Sequence, residues 1–202
     1  MGEAGDLVGG FRARRKGGVT ASFAESQAGI IRALVSQVEE LLEDPAGLGA
    51  APDPDPDPDP GPGGLTDDDL AALLRSTGPA TPPDDPVLAR LLPDGYREDT
   101  EAAGEFRRFT EEDLRSGKVA AARTVLDTLP EQGGKIELSE QDAQIWLRAL
   151  NDVRLALGVR LEITEDIADR SQDLDPADPR SAYLWVYDWL TYLQETLVRA
   201  LW

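Results

Sequence analysis

Cysteine and histidine are both absent from the 202 residues. That removes disulfides, thiol nucleophiles, thiolate and imidazole metal ligands, and every Ser/His/Asp or Cys/His catalytic arrangement. Lysine is scarce as well, with Lys16, Lys118 and Lys135 the only ones among 20 basic residues. No G-x-x-x-x-G-K-[ST], G-x-G-x-x-G or G-x-S-x-G pattern occurs, so the common phosphate-cradling loops and the nucleophile elbow are missing. The most apolar stretch, residues 183–202, is interrupted by Asp188, Gln194, Glu195 and Arg199, too many polar groups for a membrane span. No apolar stretch of signal-peptide type follows the basic cluster at residues 12–16, and a cytoplasmic protein is expected. These absences exclude most of the common catalytic machinery, and no cofactor or metal is expected.

What is present is acid. Asp and Glu number 39 against 20 Lys and Arg, a net charge of −19. Whole-molecule repulsion then disfavours direct nucleic-acid binding. Residues 46–101 hold about half of that charge, and within them residues 53–60 are a literal Asp-Pro repeat. Proline removes backbone donors and the aspartates repel one another, so residues 45–64 are expected to form a disordered linker.

Around this linker the pattern is mainly helical. Two short extended runs flank Gly17-Gly18, which predicts an N-terminal β-hairpin over residues 11–23. Ser22 and Glu25 have capping-box spacing, and Ile30, Ile31, Leu34, Val35, Val38, Leu41 and Leu42 recur at helical intervals up to Asp44-Pro45. A short helix is expected from Thr66, with Asp67 to Asp69 on its positive end. Another is expected over residues 86–92, stopped by Pro93. Thr110 is read as the cap of a helix over residues 111–129 with Leu114, Ala121, Ala122, Val125, Leu126 and Leu129 buried. Residues 135–138 alternate and predict a strand pairing with the hairpin. Ser139 with Asp142 opens a helix bearing Ile145, Trp146, Ala149, Leu150, Val153 and Leu157, closed at Gly158. The expected fold is one mainly α domain with a small N-terminal hairpin: residues 1–44, the linker 45–64, and the helical remainder 65–202.

The last helix, from about Ser181, holds six of the twelve aromatic residues: Tyr183, Trp185, Tyr187, Trp189, Tyr192 and Trp202. Tyr183, Tyr187, Leu190, Gln194, Leu197 and Leu201 make one seam, while Trp185, Trp189, Leu193 and Trp202 populate another face. A helix apolar on more than one side is either central in its own domain or shared with a partner. Asn151, Asp152 and Arg154 interrupt an apolar helix, with Arg148 spaced to pair with Asp152. They read either as a network tied to Asp188 or as a partner contact. Phe106, Arg107, Arg108 and Phe109 mix two guanidinium groups with two rings, which read either as a site that recognises a carboxylate or stacks on a base, or as a cluster that pins a loop to an acidic protein surface. Arg12, Arg14, Arg15 and Lys16 form the one concentrated basic patch. It reads as a solvated edge that discourages strand pairing, or as a reach toward an acidic partner. The acidic runs at residues 67–69 and 84–85 lack the spacing of a calcium loop and are read as helix caps.

Four ordered blocks, residues 85–96, 105–111, 146–161 and 187–191 (Tyr187-Asp188-Trp189-Leu190-Thr191), resemble a family of uncharacterised actinobacterial proteins that includes the oxidative-stress regulator AosR. The resemblance implies a non-enzymatic cytosolic regulator or adaptor acting through protein contacts. It implies a link to stress-responsive transcription or, through genes neighbouring the ClpS adaptor, to Clp-type proteolysis. Protein partners are expected, a sigma factor or a Clp component among them, together with a homodimer formed through the aromatic C-terminal helix. The candidate partner-binding residues are Arg12, Arg14, Arg15, Phe106, Arg107, Arg108, Asn151, Asp152, Arg154, Tyr187, Asp188 and Trp189. Thiol-based sensing needs a thiolate, and this chain has none; its single methionine is Met1. The rival reading is a carboxylate-based, metal-dependent hydrolase in which Asp152, Asp166 and Asp188 converge.

Overall fold

The computed structural model describes residues 10–43, 81–96, 99–163 and 179–202. The expected linker at residues 45–64, the expected helix at Thr66 and Asp166 lie outside them.

The hairpin forms as its sequence predicts. Strand β1 (Arg12–Ala13) turns through Gly17 and Gly18, both at positive φ, into β2 (Val19–Phe23). Gly18 is required twice over. Its φ of 73° is left-handed, and a Cβ there would stand 2.1 Å from the Leu138 carbonyl oxygen. That carbonyl belongs to β3 (Gly134–Leu138), which pairs antiparallel with β2, so the sheet order is β1-β2-β3. Alternation then sorts the faces. Val19, Ala21, Phe23, Ile136 and Leu138 point into the core, while Ser22, Lys135 and Glu137 stay outside.

Helix α1 (Glu25–Glu43) buries Ala28, Ile31, Val35, Val38 and Leu42 at helical spacing. Its cap differs from the expected Ser22 box, because Ser22 is consumed as an exposed strand residue opposite Lys135. Gln27 does the capping instead, its side-chain oxygen accepting from the Ala24 amide at 2.9 Å. Helix α2 (Pro86–Leu91) carries proline in its first turn. It is capped by Asp85, whose carboxylate accepts from the amides of Val87 (2.7 Å) and Leu88 (3.1 Å).

Helix α3 (Thr100–Thr128) starts eleven residues earlier than Thr110 suggests, with Asp99 accepting from the amides of Glu101 and Ala102. Thr110 lies inside it, its hydroxyl donating to the Phe106 carbonyl. The first half was illegible as helix because its buried stripe is polar: Arg107, Glu111 and Arg115 at four-residue steps. Leu114, expected in the core, is 41% exposed.

Helix α4 (Glu140–Arg160) is capped by Ser139, whose hydroxyl oxygen accepts from the Asp142 amide at 3.1 Å. It runs past Gly158. Glu162 takes the left-handed conformation at φ 53°, and the Ile163 amide returns to the Gly158 carbonyl at 2.9 Å, closing a Schellman-type end. Gly158 faces the Tyr187 ring, where a Cβ would make an ordinary contact at 3.5 Å.

Helix α5 (Pro179–Leu201) completes the fold. It buries Trp189, Leu190, Leu193 and Leu197, and its Thr196 hydroxyl accepts from the Phe11 amide, fastening it to the hairpin. Helix α4 is the hub, packed against all four other helices among the described residues and against β3. At its inner end Trp146, fully buried, meets Phe11 and Phe23 at ring distances of 5.7 and 6.2 Å and donates from Nε1 to the Thr128 hydroxyl at 2.8 Å. Buried aromatics of this kind carry a large apolar area and a directional bond.

Candidate functional site: an interhelical groove and an internal charge relay

Two pairs of contacts set the helix directions. Lys118 with Asp152 and Thr128 with Trp146 make α3 and α4 antiparallel. Gln194 with Asn151 and Tyr187 with Gly158 make α4 and α5 antiparallel. Helices α3 and α5 therefore run parallel on either side of α4, leaving an open groove of about 750 Å³ with α4 as its floor. Apolar atoms of Leu114, Ala121, Leu147 and Val198 line it, and Gly117 widens it, since a Cβ there would meet nothing within 4 Å.

The floor is polar. Asp152 is 5% exposed and accepts from the Lys118 ammonium at 2.6 Å. Burial raises the Asp152 carboxyl above its ordinary pKa, although the Lys118 bond and the charges of Lys118 and Arg148 pull it down. Beside it Arg154 donates to the Gln194 side-chain oxygen at 2.6 Å and lies 5.9 Å over the Tyr187 ring, and Gln194 donates to Asn151. Of the predicted residues, Asn151, Arg154 and Tyr187 are thus brought together along the α4–α5 seam, while Asp152 turns to Lys118 on α3. Asp188 is not among them: it is exposed, and Gln194 makes the tie that Asp188 was expected to make. Arg148 makes no ion pair among the described residues, and Lys118 from α3 takes its expected place at Asp152. Trp189 is buried and stacked against the exposed Trp185 at 6.0 Å.

The Phe106–Phe109 run divides. Arg107 is buried and spends its donors inside, on Asp94 (2.7 Å), the Leu92 carbonyl (3.0 Å) and Glu111. Glu111 also accepts from Arg115 at 2.9 Å, and Arg115 donates to the Leu42 carbonyl at 2.8 Å. A relay of alternating charge therefore runs from the turn after α2 to the last turn of α1. Phe106, Arg108 and Phe109 face outward, with Phe109 72% exposed and Phe106 edge-on to Tyr96 at 5.9 Å.

Arg12 and Arg15 are exposed on the hairpin. Arg14 pairs with Glu137 at 2.6 Å, and Lys135 pairs with the same carboxylate at 2.7 Å. The Lys135 bond first and the Arg14 charge second hold the Glu137 carboxyl below its usual range. Among the described residues no three Asp, Glu, His or Cys side chains group as metal ligands would, and no helix is long and apolar enough to cross a membrane.

Sequence reasoning missed Glu111, Arg115 and Lys118. The first two left one signal, their four-residue spacing from Arg107, which on a helix puts all three on one side. Lys118 left none, since its partner is 34 residues away.

A mainly helical scaffold with polar interhelical seams and an open groove is the class this geometry defines. The chain belongs to the family described as Domain of unknown function (DUF2017), which matches residues 8–201. It is 44% identical over 138 residues to proteins named "Oxidative stress regulator AosR" from Mycobacterium bovis and Mycobacterium tuberculosis. It is 43% identical over 137 residues to a "Putative oxidative stress regulator AosR" from Mycobacterium leprae. The matches span 62% of the length of each of these relatives and 61 to 62% of this chain. No solved structure matches the chain.

Proposed function

We propose that this chain is a non-enzymatic cytoplasmic regulator that works by binding other proteins, in stress-responsive transcription through a sigma factor or in Clp-type proteolysis. The observation that carries the reading is the likeness to relatives named as oxidative-stress regulators. A physical feature favours protein contacts. Phe109, Tyr183, Trp185 and Trp202 are each more than half exposed, and large aromatics left in water are enriched where proteins meet. Without cysteine, the chain answers oxidative stress through a partner that senses it, not through a thiol switch of its own.

The test is direct binding of the purified chain to purified sigma factors and ClpS by biolayer interferometry, alongside Arg14→Glu/Arg15→Glu, Phe109→Ser and Trp185→Ser variants. Binding that is saturable and lost in one of these exposed-site variants supports the reading. No binding to any of them, with a melting temperature that rises in millimolar Mg²⁺ or Mn²⁺, favours the metal-dependent hydrolase instead.

A further inference from the structure

The floor of the groove carries a surplus of hydrogen-bond donors. Lys118 commits one of its ammonium N–H groups to Asp152 at 2.6 Å and keeps the others. Arg148 is exposed in the groove with no hydrogen bond or ion pair among the described residues, yet its charge is felt at the Asp152 carboxyl one turn further along α4. Asn151 accepts from Gln194 through its side-chain oxygen, and its amide nitrogen has no acceptor among the described residues. All three line the groove. The cations Lys118 and Arg148 around the single carboxylate of Asp152 leave this part of the groove with one unbalanced positive charge, in a chain whose net charge is −19.

The cross-helix pairs fix the level of each wall residue. Lys118 stands opposite Asp152 and Gln194 opposite Asn151, with α3 and α5 both antiparallel to α4. Counted from those pairs, Ala121 and Val198 fall on the Leu147 side, about one turn toward the start of α4. These three apolar side chains therefore form a section directly beside the donors, and Arg148 springs from the same level and reaches back toward Asp152. Trp202 follows Val198 by four residues on α5, which places it on the same side of the helix, and its ring is 82% exposed. The indole prolongs the apolar wall. Asp113 lies at the other end of the groove, five residues before Lys118 or about 7 Å along α3, away from both sections.

We propose that the α3–α4–α5 groove binds a small amphipathic carboxylate, whose head accepts from Lys118, Arg148 and Asn151 and whose apolar chain lies over Ala121, Leu147 and Val198 toward Trp202. One negative head balances the one unspent positive charge. An amine would meet Lys118 and Arg148 as a like charge, and an uncharged chain would leave their donors without an anionic acceptor. The volume of about 750 Å³ is within the usual range of small-molecule sites. This site goes beyond the regulator reading and needs nothing from it.

Octanoate is the probe, titrated into the purified chain by calorimetry so that dissociation constants up to about 1 mM are read. One molecule per chain should bind. Octylamine should not, while 1-octanol, which lacks the charge, and butanoate, which lacks half the chain, should each bind at least about tenfold more weakly. Arg148→Glu and Val198→Glu should each weaken octanoate at least about tenfold, and Asp113→Asn should change it by less than about threefold. All three positions are exposed, so unchanged far-UV spectra and melting temperature confirm that the variants fold. No octanoate binding in this range overturns the proposal. So does equal binding of octylamine or 1-octanol, the mark of adsorption to any apolar surface, or octanoate binding indifferent to Arg148→Glu. Sigma-factor and ClpS binding is read without octanoate, so either reading can fail while the other stands.

Discussion

Lys118 and Asp152 stand 2.6 Å apart on the floor of the groove, one from α3 and one from α4, and they form a cross-helix ion pair in a mostly buried place. The cost of burying the carboxylate exceeds what the lysine returns, which is why the Asp152 pKa is raised and not lowered.

Asp152→Asn should therefore leave stability within about 1 kcal/mol of the parent at pH 7, because the Lys118 stem can carry its charge to the open groove. The pH dependence has a definite sign. With the folded pKa above the unfolded one, the ionised carboxylate is a burden at neutral pH that lifts as pH falls through the raised value. The parent should gain on Asp152→Asn as pH drops from 7 toward the ordinary carboxylate range in urea denaturation, and a parent that loses ground over that range contradicts the account.

The relay through Arg107, Glu111 and Arg115 should behave in the opposite way. Removing one member strands buried charges on its neighbours, so Arg107→Ala or Glu111→Ala should cost about 3–5 kcal/mol by chemical denaturation. Phe109→Ala, on the same helix but in solvent, should change stability by less than about 0.5 kcal/mol.

Trp146→Ala should cost about 3–5 kcal/mol, since it vacates the contact with Phe11 and Phe23. Trp146→Phe should cost less, losing the bond from Nε1 to the Thr128 hydroxyl while that hydroxyl still donates to the Thr124 carbonyl at 2.6 Å. Thermal melts of the pair separate ring packing from the hydrogen bond.

Asp85 caps α2 and holds Arg160 at 2.9 Å. Burial works against its charge, but the Leu88 and Val87 amides and Arg160 prevail, and its carboxyl stays below the ordinary value. This contribution is present above the unfolded pKa and is lost as pH falls through the lower folded one. Asp85→Ala should cost about 1 kcal/mol at pH 7 and progressively less toward pH 2. A cost independent of pH would point to lost packing instead.

Gly18→Ala should destabilise by about 2 kcal/mol or more, because it meets both a left-handed φ and the Leu138 carbonyl. Gly117→Ala should be neutral or stabilising by up to about 1 kcal/mol, since the helix gains propensity and no atom stands in the way.

Elements whose buried stripe is apolar were legible in the sequence. Ile31, Val35, Val38 and Leu42 mark α1, Ser139 and Asp142 mark the start of α4, and alternation marks β3 and the hairpin it joins. Periodicity fails where burial is achieved by pairing, and so α3 was begun eleven residues too late: Arg107 looked like a surface charge, but its partners at residues 92, 94 and 111 put it inside. Gly158 misled by position: it accepts in the closing motif from within the last turn, while Glu162 takes the left-handed conformation expected of a glycine. At the groove, residue types at 151, 152 and 154 announced that α4 was unusual. What they bind depended on Lys118 and Gln194, distant in the chain and visible only once α3 and α5 lie on either side.

The relay has a bearing on inheritance. Arg115 fastens the last turn of α1 at Leu42, and Arg107 fastens the turn at Leu92 and Asp94, so the stretch between these anchors is bounded by points that the rest of the fold already fixes. The spacing of residues 94, 107, 111 and 115 should therefore stay constant among descendants of this chain, because a shift of any one of them breaks at least one pair in the series.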